Sequence, residues 1–285
     1  MLAGDRAHGA GGVMSTLGPY RPGPSGTDLN GIYHGDCRWL ARAIPDESVP
    51  LIVADPPYGI GYASGCRTRT DGSPRRNMPD FGADEFDPSW LTEAARVLAD
   101  GGAMYLFTRW DVLHQWKQAI EEAGLKVVQR IVWDKLHFKM GDLRYYGSQT
   151  EDILFAVKGE HKMRWAKRSG NVWRHSAAWL PEGQYDHPTQ KPESIIARMI
   201  ENSSDPGDVV LDFHCGSGST AATAYKLGRR WLTFDIRHDF CVMARRRIAG
   251  MTPPLIAPQP EQLTLEDLDT IRAEYNGAIV EDGKE

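Results

Sequence analysis

Residues 209–224, VVLDFHCGSGSTAATA, set a short apolar run and an acid before a glycine-rich turn and a stretch of small residues. The order reads as strand, turn and helix. Glycines at 216 and 218 allow positive φ and close approach of the backbone to a ligand. The helix that follows offers unpaired N–H groups and the positive end of its dipole. A tight strand-to-helix connection with no ligand uses the same residues, so the turn alone leaves both readings open. It lacks the Gly-Lys-Ser/Thr ending that cradles nucleotide triphosphates. The next apolar stretch, RWLTFDI (230–236), places Asp235 17 residues after Gly218. In dinucleotide and adenosine binders an acid at about that distance holds ribose hydroxyls.

Working outward, strand-like runs recur at 31–36, 49–55, 103–108, 126–135, 151–158 and 208–214. Segments of helical period lie at 88–100, 110–124, 192–204, 219–228 and 237–250. Strands alternating with helices predict an α/β fold with a mostly parallel twisted sheet, helices on both faces and ligands at the carboxyl ends of the strands. Pro88 and Pro192 suit first helical turns, and Gly124, Gly228 and Gly250 suit helix ends with positive φ. The Gly- and Pro-rich residues 1–26 predict a disordered tail, 27–250 the folded domain, and 251–285 a Pro-rich linker with an acidic amphipathic segment.

The 285 residues carry a formal net charge of -5, unevenly spread. From Lys126 to Arg174 there are 11 Lys and Arg against 5 Asp and Glu, so the middle is basic and the remainder acidic. A smaller cluster, Arg67, Arg69, Arg75 and Arg76, follows the 49–55 strand. Either could be a solvated face; flanking one site, they point to a polyanion. Cys37, Cys66, Cys215 and Cys241 form no CxxC pair, and the histidines show no metal-ligand spacing, so no metal site and no disulfide scaffold is implied. No apolar run is long enough to span a bilayer, which predicts a cytoplasmic protein without a membrane partner.

The strand at 49–55 ends in VADPPYGIG (53–61): an acid, two prolines that remove successive backbone donors, and a tyrosine. Alone it is a stiff, acidic turn. Together, DPPY at 55–58, LDFHCGSGST at 211–220 and HPTQKP at 187–192 resemble the motifs of amino-group DNA methyltransferases that use S-adenosylmethionine. The DPPY element precedes the glycine loop, as in the circularly permuted β group of that family. The similarity spans about residues 31–248. The loop departs from the family in lacking Pro between Asp212 and Phe213, and Ser219 stands where Thr is common.

The resemblance implies a Rossmann-like methyltransferase fold with a small inserted target-recognition segment at about 137–186. It implies double-stranded DNA as partner, in a nucleoid-associated, restriction-modification setting; the sequence specifies no nuclease partner, and a second subunit could complete a homodimer. Methyl transfer to the N6 amine of a flipped adenine is the leading expectation. N4 of cytosine, an RNA or protein-amide substrate, and a non-catalytic DNA-binding module are the alternatives. An exocyclic amine is a poor nucleophile because its lone pair is delocalised into the ring. The Asp55 carboxylate and the Pro56 carbonyl, held rigid by Pro56 and Pro57, would accept its two N–H groups and localise that pair. Tyr58 would stack on the flipped base. For S-adenosylmethionine the resemblance implies Asp36 and Cys37 near the adenine and Asp235 and Ile236 at the ribose. It places Phe213, His214, Cys215, Gly216, Ser217, Gly218 and Ser219 along the methionine, Asp212 at its ammonium, and Thr189, Gln190 and Lys191 at its carboxylate. Arg144, Lys162, Arg164, Lys167, Arg168 and Arg174, with the arginines at 67–76, would meet DNA, and Trp165, Trp173 or Trp179 could wedge or stack.

Overall fold

The computed structural model describes residues 29–59, 85–137, 144, 146–164, 169–176 and 190–251. The tails proposed at 1–26 and beyond 251 lie outside the described residues. So do Arg67, Arg69, Arg75, Arg76, Lys167, Arg168, Thr189, Trp165 and Trp179.

Strands β1 (Gly31–His34), β2 (Val49–Ala54), β3 (Leu98–Thr108), β4 (Lys126–Asp134), β5 (Thr150–Val157), β6 (Val172–Arg174), β7 (Val209–Asp212) and β8 (Arg230–Asp235) are interleaved with helices. These are α1 (Cys37–Leu40), α2 (Leu91–Val97), α3 (Leu113–Glu122), α4 (Glu193–Ser203), α5 (Ser219–Lys226) and α6 (His238–Ala249). Among the described residues the strands form one sheet in the order β1-β8-β7-β2-β3-β5-β4-β6. Every neighbouring pair is parallel except those of β5, which runs antiparallel to both β3 and β4.

The period of two decides which helices cover which face. Ile52, Ala54, Met104 and Leu106 pack with Leu91 of α2 and Trp116 and Ile120 of α3. Their sequence neighbours Leu51, Val53, Tyr105 and Phe107 pack on the other face with Ile195 and Met199 of α4, Ala221 of α5 and Ala244 of α6. Burial on both faces is why β2 reads as an unbroken apolar run. None of the described helices is long and apolar enough to cross a membrane.

The structure departs from the sequence expectations at three places. The helix predicted over 88–100 stops at Val97, because Leu98 turns extended (φ -65, ψ 125) and pairs with Val49 at the start of β3. Gly250 ends α6 with φ -82, not in the left-handed region, whereas Gly124 and Gly228 have φ 93 and 70. The segment assigned to target recognition is also part sheet: β6 pairs with β4, and Trp173 is buried in the core. Trp173 is thus no free wedge; its Nε1 donates to the Gly170 carbonyl, and Arg198 lies 4.5 Å over its ring.

At the end of β7 the chain turns through Gly216 and Gly218, both with positive φ, into α5. Gly218 is doubly constrained. Its φ is 75, and a Cβ there would lie 2.7 Å from the Ala244 Cβ and 3.0 Å from its Cα on α6. Gly124 also has positive φ, but a Cβ there meets nothing within 4 Å. Gly218→Ala should therefore lower stability by about 2–4 kcal/mol and Gly124→Ala by only about 1 kcal/mol. Urea midpoints of the two variants check this; equal losses would contradict the packing term.

Candidate active site

β2 and β7 are neighbours, but the connection from β7 leads through α5 to β8 on one side while that from β2 leads to β3 on the other. The crevice outside the carboxyl ends of such diverging strands is where open α/β sheets bind ligands. Asp212 closes β7 on one side of it, and Asp55 follows β2 on the other. Asp55, Gln190, Lys191, Asp212, His214, Cys215, Gly216, Ser217 and Ser219 line one cleft, so this part of the predicted site is brought together.

Asp55 is the centre of a polar cluster. Its Oδ2 lies 2.8 Å from Lys191 Nζ, and its Oδ1 lies 2.8 Å from the Tyr58 hydroxyl. The same hydroxyl is 2.8 Å from Glu151 Oε1, so its single proton is donated to one carboxylate at a time. Lys191 Nζ is also 3.0 Å from Glu151 Oε1 and donates to the Tyr58 oxygen at 3.2 Å. Lys135 closes the cluster 2.8 Å from Glu151 Oε2. Burial pushes the Asp55 carboxyl above its ordinary range, against the pull of Lys191 and with the push of Glu151. Burial opposes ionisation of Glu151 too, but the Lys191 and Lys135 ammoniums prevail and hold it at about 2. The resemblance assigns Lys191 to the carboxylate end of the cofactor; in the structure its ammonium is engaged by two carboxylates at Asp55.

The glycine loop is fastened from both sides. Gly216 N–H donates to Asp235 Oδ2 at 2.8 Å, and Arg237 N–H to Oδ1 at 2.9 Å. Behind it the buried Arg247 donates to the Ser217 carbonyl (3.2 Å) and the Ser219 hydroxyl (2.9 Å) and pairs with Glu193 at 2.7 Å. With its amide oxygen turned toward that guanidinium, Gln190 accepts at 3.0 and 3.2 Å. One arginine on α6 thus ties the loop to the segment that carries Gln190 and Lys191. Burial pushes Asp212 up to about 7 and His214 down to about 4, and His214 Nδ1, buried, has no hydrogen-bond partner among the described residues. Phe213 packs behind the loop, its ring centroid 5.0 Å from that of Trp90.

Asp36 and Cys37 follow β1, next to Asp235 at the end of β8: Gly35 N–H donates to the Asp235 carbonyl at 2.9 Å. Asp36 caps α1 and pairs with Arg38 at 2.6 Å, which lowers its pKa. Burial, then the neighbouring Asp36, raises Cys37 to about 12. Ile236 is 71% exposed, with its carbonyl 3.1 Å from His34 Nε2.

The basic residues do not share one edge. Because β5 is antiparallel, it carries the chain back to the amino ends of the parallel strands. There Arg164 N–H bonds the Asn202 carbonyl and its side chain pairs with Asp205 at 3.3 Å, with the Lys162 carbonyl beside it. Lys162 and Arg164 are therefore on the sheet edge opposite Asp55. Arg174 ends β6 on the Asp55 edge, 3.5 Å from Asp134. Arg144 is exposed. Sequence reading missed Glu151, Lys135, Arg109 and Trp110. With Tyr58, Ser148 and Thr150 these line a second recess, of about 240 Å³. Their only sequence signal is a place at or just beyond the end of a strand, which many solvated residues share.

The N6/N4 methyltransferase family model, described as DNA methylase, matches residues 49–246. Type II methyltransferase M2.DpnII of Streptococcus pneumoniae is 30% identical over 237 residues, covering 76% of this chain and 88% of the relative. Type II methyltransferase M.HinfI of Haemophilus influenzae is 27% identical over 267 residues, covering 85% and 73%. Among solved structures, the M1.HpyAVI-SAM complex superposes with a TM-score of 0.59 at 22% identity, over 76% of this chain and 98% of that one. The cytosine-N4-specific PvuII DNA methyltransferase superposes with a TM-score of 0.58 at 15% identity, over 86% and 91%. The structural likeness establishes a shared Rossmann-like α/β fold, and the family match covers both DPPY and the glycine loop: the chain belongs to the N6/N4 DNA methylase family.

Proposed function

We propose that the protein transfers a methyl group from S-adenosylmethionine to the exocyclic amine of a base flipped out of duplex DNA, with adenine N6 as the target. The observation that carries this reading is that Asp55 lines the glycine-loop cleft while Tyr58, hydrogen-bonded to it at 2.8 Å, lines the recess with Lys135 and Trp110. A donor in the first and an acceptor in the second would meet at Asp55.

The cleft residues fit this cofactor, which bears an ammonium and a sulfonium. Asp212 and Asp55 line the cleft, Asp235 borders it through its bond to Gly216, and burial keeps the His214 ring neutral, so it adds no opposing positive charge. Once bound, the sulfonium supplies an activated methyl whose C–S bond breaks as the N–C bond forms, leaving a neutral thioether and one surplus proton on the amine. Asp55 accepts an N–H from the amine through a lone pair left free by Lys191 and Tyr58, and is the nearest base for that proton. Pro56 presents its carbonyl from a corner that cannot offer a competing N–H. Tyr58 walls the base recess, where stacking on an aromatic contributes about 1–3 kcal/mol. Arg109, Lys135 and Arg174 lie on the same edge as phosphate contacts, and Trp110, 74% exposed, as a stacking group.

Adenine is favoured by Asp as the first residue of the tetrad, commoner with adenine in the resembled family. Cytosine N4 is the second reading, since the fold is shared with an enzyme described as cytosine-N4-specific. Mass spectrometry of nucleosides from duplex DNA treated with the protein and cofactor is expected to show N6-methyladenine; N4-methylcytosine alone would select the second reading.

Asp55→Asn keeps the size of the side chain and removes its charge. It should lower the single-turnover rate of methyl transfer, measured with cofactor and DNA saturating, by about 10²–10⁴-fold. Undiminished transfer would remove Asp55 from the chemistry.

Asp212 gives a pH dependence. At about 7, its raised pKa leaves the free protein protonated there at and below neutral pH. A cation beside it favours the carboxylate, so binding expels that proton. Cofactor affinity should fall by about tenfold per pH unit below 7 and level off above it. Calorimetry in buffers of different ionisation enthalpy should register proton release at pH 6, and a flat profile would refute the assignment.

A further inference from the structure

Glu151 belongs to none of the sequence motifs, yet it touches three members of the Asp55 cluster. It stands at the start of β5, opposite Trp133 of β4, and because β5 is antiparallel its first residues arrive at the edge where β2 and β3 end. Its side chain is only 10% exposed, like that of Lys191. One of its oxygens takes the Tyr58 hydroxyl (2.8 Å) and Lys191 (3.0 Å), and the other Lys135 (2.8 Å). Burying an acid this far is costly unless it is paired, and here the pairing is with the cation that also holds Asp55.

We propose that Glu151 is a positioning residue for the reaction at Asp55: by sharing Lys191 it sets how much positive charge Asp55 feels, and by anchoring the Tyr58 hydroxyl it fixes the wall of the base recess. The inference rests on the methyl-transfer reading of the site. Asp55, Glu151, Lys191 and Lys135 together sum to zero charge. Lys191 is therefore not a dedicated counter-ion that would quench the basicity of Asp55, because it is shared with Glu151 at 3.0 Å. A lone Lys191 would make Asp55 a poorer acceptor for the amine; Glu151 without Lys191 would keep Asp55 protonated. The groups facing Asp55 are Lys191 from the segment before α4, Glu151 from β5, Tyr58 from its own turn and Asp212 from β7, with Lys135 acting through Glu151. Burial raises the Asp55 carboxyl, Lys191 lowers it and Glu151 raises it, in keeping with this division.

The test is the pH profile of the single-turnover rate, with cofactor and duplex DNA saturating, for the full-length protein and three variants. Glu151→Gln keeps an acceptor for Tyr58 and Lys191 but removes the charge, so the acid limb should move down by about one pH unit, with a lower plateau rate. Lys191→Met should move the same limb up by about one unit. Lys135→Met, which does not touch Asp55, should move it up by less, because its influence passes through Glu151. This last variant keeps the inference testable if Glu151→Gln does not fold, as judged by circular dichroism and cofactor titration. A limb that stays in place in the folded variants, or moves the same way in Glu151→Gln and Lys191→Met, overturns the inference. If the wild-type protein itself transfers no methyl group to any duplex, the reading of the site fails and not the role of Glu151 alone.

Discussion

One buried ammonium organises this site. Lys191 Nζ lies within 3.0 Å of both Asp55 and Glu151, and it also donates to the Tyr58 hydroxyl that bridges the two acids. Two carboxylates this close would not both stay ionised without a cation between them. Removing that cation would drive a proton onto one of them, and a protonated acid at the end of β2 would be a weaker acceptor for an N–H and no base for the proton it carries. The proline-stiffened corner at 55–58, the start of β5 and the segment leading into α4 are all held in place by the same few atoms.

The sheet makes that meeting possible. In a fully parallel sheet every strand would bring its carboxyl end to the ligand edge, and the residue before a strand would lie on the far side. The one reversed strand among the described residues, β5, inverts this rule and delivers Glu151 beside the end of β3. The same reversal carries Lys162 and Arg164 to the opposite edge and leaves β6 to return Arg174. A basic run that looks continuous in sequence is thereby divided between two edges, and only one part of it shares an edge with Asp55.

The cofactor side follows a different logic. There the backbone does most of the work: Gly216 and Gly218 take left-handed φ, and Gly216 N–H is fixed by Asp235 across the β7–β8 pair. Arg247, 3% exposed, then locks the loop to Glu193, and Gln190 faces it. A buried guanidinium with its donors spread over two segments is a rigid joint, because moving either segment leaves a charged donor unsatisfied in a dry place. The DPPY corner and the glycine loop are thus coupled through the short stretch from Gln190 to Glu193, with one cation at each end.

Much of this was legible in the sequence. Apolar runs of strand length alternating with helical periods define an α/β sheet, because burial on one or both faces imposes those periods. The glycines at 216 and 218, Asp235 after the following strand and the two prolines at 56 and 57 are local signals, since backbone conformation at each depends on that residue alone. Their joint order with HPTQKP was enough to indicate the chemistry of the family. The pairing of Lys191 with Asp55, the reversed direction of β5, the arrival of Glu151 and Lys135 and the burial of Trp173 depend on which strands lie side by side. Nothing in TEDILF marks its glutamate as different from a solvated strand end. Strand order is a global outcome of packing helices on two apolar faces, and it was the tertiary structure that decided which charges share a buried site and hence which of them remain charged.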